Sequence, residues 1–347
     1  MNIQNIKLDK ISSVLKNAQI DQFVDITTEV NPKIGFGIVV EALKSLDKYG
    51  ELELVGGRFS KIRKGDLIAG VFGERKALEG IVGHVPKTVK SGDELQILNL
   101  GGLIGNAVSW NKDIISSPLP VKFIGAITVN NKILDIDSFA IKDGEKFVKS
   151  APMVVVMGTA MSTGKTTVAT ELIHVLAGQK KLKVCAAKLT GVAAQRDILG
   201  MKDAGAKVVL SFLDFGLTST INQKEAVVPA AKAIINSLNT NKPDIIVVEL
   251  GDGMIGWYGV DKLLAHKDFV RSISFVIVCA HDLVGAFGAV DILKKNNLKA
   301  DFFAGPVSNN TAGTDYLEVN LGIPAEDIRD SSSKLLTTLI DKKVICV

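Results

Sequence analysis

The chain has 347 residues, of which 47% are hydrophobic and 5% aromatic, and a formal net charge of +4. That length suits about two domains with buried cores and that composition excludes a disordered chain. The small, dispersed charge and scarce aromatics argue against nucleic-acid binding.

No apolar run approaches the ~18 residues of a membrane helix, and residues 1–7 lack the apolar core of a signal peptide. Cys185, Cys279 and Cys346 are far apart and show no metal-ligand spacing. Buried thiols in a reducing, cytoplasmic setting are the expectation.

In the first 150 residues, 38–48 could form one helix. Short apolar runs follow, broken by turn signals at Lys64-Gly-Asp66, Gly73-Glu74, Gly83, Ser91-Gly-Asp93, Gly101-Gly102 and Gly105. Short strands at this spacing predict a small, mainly β, barrel-like domain. Gly73-Glu-Arg-Lys76 and Leu100-Gly-Gly-Leu-Ile-Gly105 are its two stretches able to touch a ligand; tight turns are the other reading. His84 is a lone histidine without an assigned role. Asp143-Gly-Glu-Lys-Phe-Val-Lys-Ser150 is polar and reads as a linker, giving domains at 1–147 and 148–347.

Beyond it the pattern alternates. Apolar strands are expected at 153–157, 183–187, 207–212, 244–249, 275–280 and 301–304, with helices between most of them, such as 228–238 and 284–295. This predicts an α/β domain, a parallel sheet covered on both faces, whose ligands sit at the C-terminal strand ends.

The first of these strands ends at Gly158, and Gly164-Lys-Thr-Thr167 leads into a helical stretch at 168–176. Strand, glycine-rich loop and helix in that order form a phosphate-binding loop of the Walker A kind. Backbone N–H groups of the loop and helix start would face phosphate oxygens. The loop residues are Gly158, Thr159, Ser162, Thr163, Gly164, Lys165, Thr166 and Thr167. In this chemistry Lys165 bridges the terminal phosphates and the Thr166 hydroxyl holds Mg²⁺. The fourth strand closes a buried run on Glu249, followed by Leu250-Gly-Asp-Gly253. A carboxylate beside a phosphate loop holds Mg²⁺ directly or through water. Asp252 is a second acid at that strand end, and Trp257 and Tyr258 either wall a substrate site or pack in the core. Lys188 ends the second strand, where an anion would give its ammonium a partner.

Five residues separate Gly158 from Gly164, one more than in the common loop. Gly158-Thr159, followed at this distance by Gly164-Lys165-Thr166, resembles the loop of dethiobiotin synthetase and its relatives. Lys188-Leu-Thr-Gly191 stands where that family has Lys-Pro-x-x-(Thr/Ser)-Gly, two residues shorter here and without the proline. Val248-Glu249 matches its Val-Glu, with the glycines displaced to Gly251 and Gly253. Gly305-Pro-Val-Ser-Asn309 matches its Gly-x-Val-x-Asn.

The resemblance covers residues 152–310; the N-terminal domain has no counterpart in the dethiobiotin enzyme. A largely uncharacterised family of two-domain bacterial P-loop proteins shares the loop and the approximate length. The resemblance implies that Lys188 contacts substrate and the transferred phosphate, and that an acid after this loop, Asp197 or its competitor Asp203, joins Glu249 and Thr166 around Mg²⁺. It further implies that Asn309 reads the adenine edge of ATP, and it allows a homodimer. Arg196 could clamp an anionic substrate. The implied activity is an Mg-ATP-dependent ligase that phosphorylates a small carboxylate or carbamate for amide formation. A P-loop switch assisting metal or cofactor insertion, an enzyme acylating an amino acid, and a nucleotide sensor without turnover are the alternatives.

Overall fold

The protein, seen as a computed structural model, is described for residues 3–141 and 146–345. Residues 143–145 of the expected linker and Cys346 lie outside the described residues. The chain packs as two compact units: one of residues 1–141 with 192–196 and 213–222, the other of 142–191, 197–212 and 223–347.

The first unit is a barrel. Strand Gly37–Ala42 pairs with Leu67–Phe72, which runs parallel to Leu103–Trp110; that strand pairs with Glu94–Ile97, and Glu94–Ile97 with Leu119–Val129. Leu119–Val129 then pairs back with Gly37–Ala42, closing a ring of five strands without a free edge. Alternate side chains fill it: Ile38, Val40, Phe72, Leu95, Ile104 and Phe123 are buried together, and the Phe72 and Phe123 rings stack at 5.9 Å. The expected helix at 38–48 is therefore a strand over Gly37–Ala42. Its β-branched Ile38-Val39-Val40 run is buried and paired on both sides, and such a run has no period that separates strand from helix.

Both glycine-rich stretches of this unit face its own chain. The Ala193 carbonyl comes so near Gly101 that a Cβ there would lie 2.0 Å from it. Asn99 donates to the same carbonyl at 2.5 Å, and the Ala193 N–H donates to the Thr218 carbonyl at 2.9 Å. Gln195 donates through its backbone N–H to Glu53 Oε2 at 2.7 Å and through its side chain to the Val55 carbonyl at 2.8 Å. The Ser13 hydroxyl donates to the same Glu53 oxygen. Segment 213–222 is held similarly: Asp214 pairs with Lys16 at 2.8 Å, Ser219 donates to the Glu74 carbonyl at 3.1 Å and Asn222 to the Glu74 carboxylate at 2.6 Å.

The second unit is the expected α/β domain. Its strands, numbered within the unit, are β1 Met153–Gly158, β2 Val184–Thr190, β3 Val208–Ser211, β4 Ile245–Leu250, β5 Phe275–Cys279 and β6 Phe302–Ala304. They form one wholly parallel sheet in the order β3-β2-β4-β1-β5-β6. β1, β4 and β5 are buried along their full length, as strands covered on both faces must be.

The helices are α1 Lys165–His174, α2 Arg196–Asp203, α3 Lys224–Asn239, α4 Val260–Ala265, α5 Lys267–Ser272, α6 Leu283–Lys295, α7 Thr311–Leu321 and α8 Ser333–Asp341. A single π-helical turn, Val175–Gln179, follows α1. Residues 146–151 run along α3, where Asn236 and Asn239 accept from the Val148 and Ala151 N–H groups at 3.0 and 2.9 Å. Among the described residues, no helix is long and apolar enough to cross a membrane.

Candidate nucleotide site

β1 lies between β4 and β5, so the loop after it emerges at the middle of the sheet. Gly164 adopts φ +82° and starts α1 at Lys165, and Ser162 is also left-handed at φ 57°. Together they turn the chain so that helix N–H groups face the strand ends. Three contacts brace the loop. The Thr159 N–H donates to the Cys279 carbonyl at 2.9 Å, the Met254 N–H donates to the Gly158 carbonyl at 2.9 Å, and His281 Nε2 lies 3.2 Å from the Met161 carbonyl.

Gly158 is required by what passes over it: a Cβ there would sit 2.4 Å from Thr163 Oγ1 and 2.9 Å from Lys165 Cδ. Lys165 donates to the Ala160 carbonyl at 2.7 Å and to Thr163 Oγ1 at 3.3 Å. Burial holds its ammonium below the ordinary lysine range, partly offset by the negative charge of Glu249. Thr166 is half-buried in the first turn of α1, and Thr167 is exposed.

A second cluster stands beside the loop. Parallel register aligns Val156, Glu249, Lys188 and Ser211 in one row across β1, β4, β2 and β3. In-register neighbours project to the same face, so Glu249 and Lys188 meet, with Lys188 Nζ 3.1 Å from Glu249 Oε1. The same ammonium is ion-paired with Asp197, in the first turn of α2. Burial pulls the Lys188 pKa down, but the two carboxylates outweigh it and hold the pKa well above the ordinary value. Glu249 is 1% exposed, and its Oε2 is buried without a hydrogen-bond partner.

Gly251 lets β4 end here, because a Cβ would lie 2.2 Å from the Thr190 carbonyl and 2.9 Å from Lys188 Cε. Asp252 follows in a left-handed conformation at φ 67°. Of the two acids weighed on α2, Asp197 faces Lys188 while Asp203 is exposed. Arg196 is exposed as well. Tyr258 is in the core and Trp257 is 53% exposed. Cys279 is a buried thiol pushed up to about 12 by burial.

β6 reaches the loop from the other side. Gly305, at φ +85°, has no room for a Cβ, which would lie 2.4 Å from the Thr163 carbonyl. Asn309 follows the turn Pro306–Ser308. With Ser162, Gly164, Thr167, Ile328 and Arg329 it lines a cavity of about 180 Å³ next to the loop.

Sequence reasoning missed Asp327, Ile328 and Arg329. Arg329 is held bidentately by Asp327 at 2.8 and 2.5 Å. The one sequence signal was the single apolar Ile328 within the charged run Glu326-Asp-Ile-Arg-Asp330.

Among the described residues no group of three or more His, Cys, Asp or Glu side chains is placed to hold a metal ion. The unpartnered Glu249 oxygen and the Thr166 hydroxyl are nonetheless donors of the type Mg²⁺ takes, and the residues fit an ion whose remaining ligands are phosphate and water.

Sheet, loop and helix define a P-loop NTPase-type α/β domain accompanied by a β-rich unit. No protein-family model and no curated protein matches the chain. Among solved structures, it is similar to the signal recognition particle receptor FtsY from Elizabethkingia anophelis, with 13% identity, TM-score 0.39, 60% of this chain and 70% of that one covered. A DUF1611 family protein from Anabaena variabilis is 14% identical with TM-score 0.39, over 62% of this chain and 65% of that one. A nucleotide-binding protein in complex with ADP from Archaeoglobus fulgidus is 12% identical with TM-score 0.37, over 56% and 88%. These likenesses add nothing to the fold described above.

Proposed function

We propose that the second unit binds Mg-ATP at the 158–167 loop and transfers its γ-phosphoryl group to a small carboxylate or carbamate for amide formation. The observation that carries this reading is Lys188. Its ammonium is fixed by Glu249 and Asp197 beside the loop that bears Lys165, so two lysines stand on one sheet end.

Lys165 would leave the Ala160 carbonyl for the terminal phosphates. Lys188 would hold the attacking carboxylate and offset charge spreading over the transferred group. A carboxylate oxygen attacks the γ-phosphorus as the bond to the ADP oxygen breaks, giving ADP and an acyl phosphate. An amine then attacks the acyl carbon, loses a proton and expels inorganic phosphate. Bound by Thr166, Glu249 and Asp197, Mg²⁺ would neutralise phosphate charge. Asn309 offers a donor and an acceptor to the adenine edge, in the cavity that Ile328 and Arg329 complete. The likeness to dethiobiotin synthetase at the loop, Lys188, Glu249 and Asn309 supports the same class.

A second reading, a nucleotide-driven switch, is favoured by one observation: the segments after β2 and β3 pack with the first unit. Calorimetry of Mg-ATP binding to wild type and Lys165→Ala tests the binding step, and equal affinities would refute it. ADP release screened with small carboxylates and amines separates the two readings. Stimulation by an acid–amine pair supports the ligase, and turnover indifferent to every pair would defeat it.

A further inference from the structure

We propose, on the ligase reading of the second unit, that Asp252 binds the amine substrate as its ammonium ion and that Trp257, on the same loop, walls the amine's carbon chain.

All the residues concerned belong to the second unit. The loop after β4 crosses the sheet end between Lys188 and the phosphate loop. Gly251 lies against the Thr190 carbonyl and Lys188 Cε, and its own carbonyl accepts from Thr190 Oγ1 at 3.0 Å. Gly253 lies against the phosphate loop, since a Cβ there would come 2.9 Å from the Thr159 carbonyl and 3.3 Å from Ala160 Cα. The Met254 N–H is tied to the Gly158 carbonyl. Asp252 is thus clamped between the two lysine-bearing segments, with a closely packed glycine on either side. Its carboxylate turns over its own loop, where a Cβ at Gly256 would lie 3.5 Å from Oδ2. It stands near enough to Lys165 for its negative charge to raise that lysine's pKa.

A backbone with φ 67° is one that glycine adopts freely and other residues only at a cost. Both neighbours are glycines, yet the residue between them is an aspartate. Lys165 and Lys188 suit anions, the phosphates and the attacking carboxylate. A third carboxylate at this sheet end opposes those ligands unless a cation stands beside it. Glu249 and Asp197 already face Lys188, and with Thr166 they are the residues given to Mg²⁺. The remaining cation of the reaction is the amine, an ammonium ion at neutral pH. A carboxylate recognises an ammonium by charge-assisted hydrogen bonds, and an indole recognises it through its ring face. Trp257 is 53% and Ile255 78% exposed on this loop. One charged group among apolar side chains is the usual make-up of a small-molecule site, and it fits a primary amine bearing an apolar chain.

The ammonium gives one proton to water before its lone pair attacks the acyl carbon. The C–N bond forms as the bond from that carbon to the phosphate oxygen breaks. The amide nitrogen keeps one proton, and hydrogen phosphate carries off the other.

The test uses the full-length chain and Asp252→Asn, because asparagine keeps the side-chain shape and tolerates the left-handed backbone. Asp252→Gly, which relaxes that backbone, is read in the same way. Hydroxylamine is uncharged at neutral pH and traps acyl phosphates as hydroxamates. With Mg-ATP and a panel of small carboxylates, turnover is compared between hydroxylamine and three primary amines, n-butylamine, benzylamine and 1,4-diaminobutane. The preference for the cationic amines over hydroxylamine should fall about tenfold or more in both variants, as loss of a hydrogen bond to a charged group does. In Trp257→Ala the KM for n-butylamine should rise more than that for methylamine. A preference that stays at the wild-type value, with or without a raised Mg²⁺ requirement, would overturn the proposal. Binding of n-butylammonium, read by saturation-transfer NMR with Mg-ADP present, should be seen with wild type and lost in Asp252→Asn. If wild type forms no hydroxamate from any carboxylate, the ligase reading falls by itself. The NMR arm then still decides the ammonium site, and equal binding by wild type and Asp252→Asn, or none by wild type, would overturn it.

Discussion

Replacing Lys188 by methionine tests the cluster beside the loop most directly. The substitution keeps the length of the side chain and deletes its charge. At an effective dielectric of about 20, an ion pair at 3.1 Å attracts by about 5 kcal/mol. The side chains are 13% and 1% exposed, so solvent screens the pair little. Desolvation of the ammonium offsets part of that attraction, but removing it leaves the buried Glu249 and the partly buried Asp197 without the ammonium that pairs with both. Breaking a buried pair from one side costs about 3–5 kcal/mol, and each kcal/mol lowers Tm by about 2–4 °C in a unit of this size. Lys188→Met should therefore melt about 6–20 °C below wild type at pH 7. The double variant Lys188→Met/Glu249→Gln should recover much of the difference.

The pH dependence follows from the raised Lys188 pKa. Its contribution is complete below the unfolded lysine pKa of about 10.4 and is lost as pH rises from there through the folded value. The gap between wild type and variant should thus be flat from pH 7 to about 9 and shrink above about 10. Scanning calorimetry across that range is the assay. A variant melting within about 1 °C of wild type at pH 7 would refute the reasoning, since it would mean the carboxylates do not need the ammonium.

Three further outcomes are expected. Lys165→Met should abolish nucleotide binding yet raise Tm slightly, because the free chain carries the cost of a buried ammonium whose pKa is lowered; that cost is full below the folded pKa and fades as pH rises towards the unfolded value. A lower Tm with intact affinity in calorimetry would contradict it. Gly158→Ala should weaken Mg-ATP binding by about tenfold or more, since the new methyl lies 2.9 Å from Lys165 Cδ and displaces that lysine; unaltered affinity in a titration would count against this geometry. Asn309→Ala should narrow any preference for ATP over GTP by about tenfold, as loss of paired edge contacts does, with competition binding as the check.

The parallel sheet was legible because fully buried strands read as unbroken β-branched runs, as Val154-Val-Val156 and Ile245-Ile-Val-Val248 do. A helix after the loop was legible from glycine and chain order, but it was expected over 168–176 and begins one turn earlier, at Lys165. Residues 38–42 were not, since apolar content without period fits two elements. The acid expected to join Mg²⁺ could be read from the family likeness only as a choice between Asp197 and Asp203; in the fold Asp197 stands in the first turn of α2 and pairs with Lys188, a contact the sequence did not show, while Asp203 lies at the exposed end. Arg329 and Ile328 escaped because their place depends on the chain returning to β6, where Phe303 bridges Ala325. Long-range pairing of that kind leaves no local pattern. The same holds for segments 192–196 and 213–222, whose hydrogen bonds through side chains to residues 1–141 reach back 94 to 198 residues.

That interleaving has a consequence for synthesis. All five ring strands have been made by residue 129, and the barrel can close on its own core while the chain is still growing. Its receptors for the later segments, the Glu53 carboxylate, the Asn99 amide and the Glu74 carbonyl, then wait without their partners until residue 222 emerges, 81 residues after residue 141. At about 5–20 residues per second this is roughly 4–16 s. During that interval the nascent chain presents polar groups whose later partners water must replace.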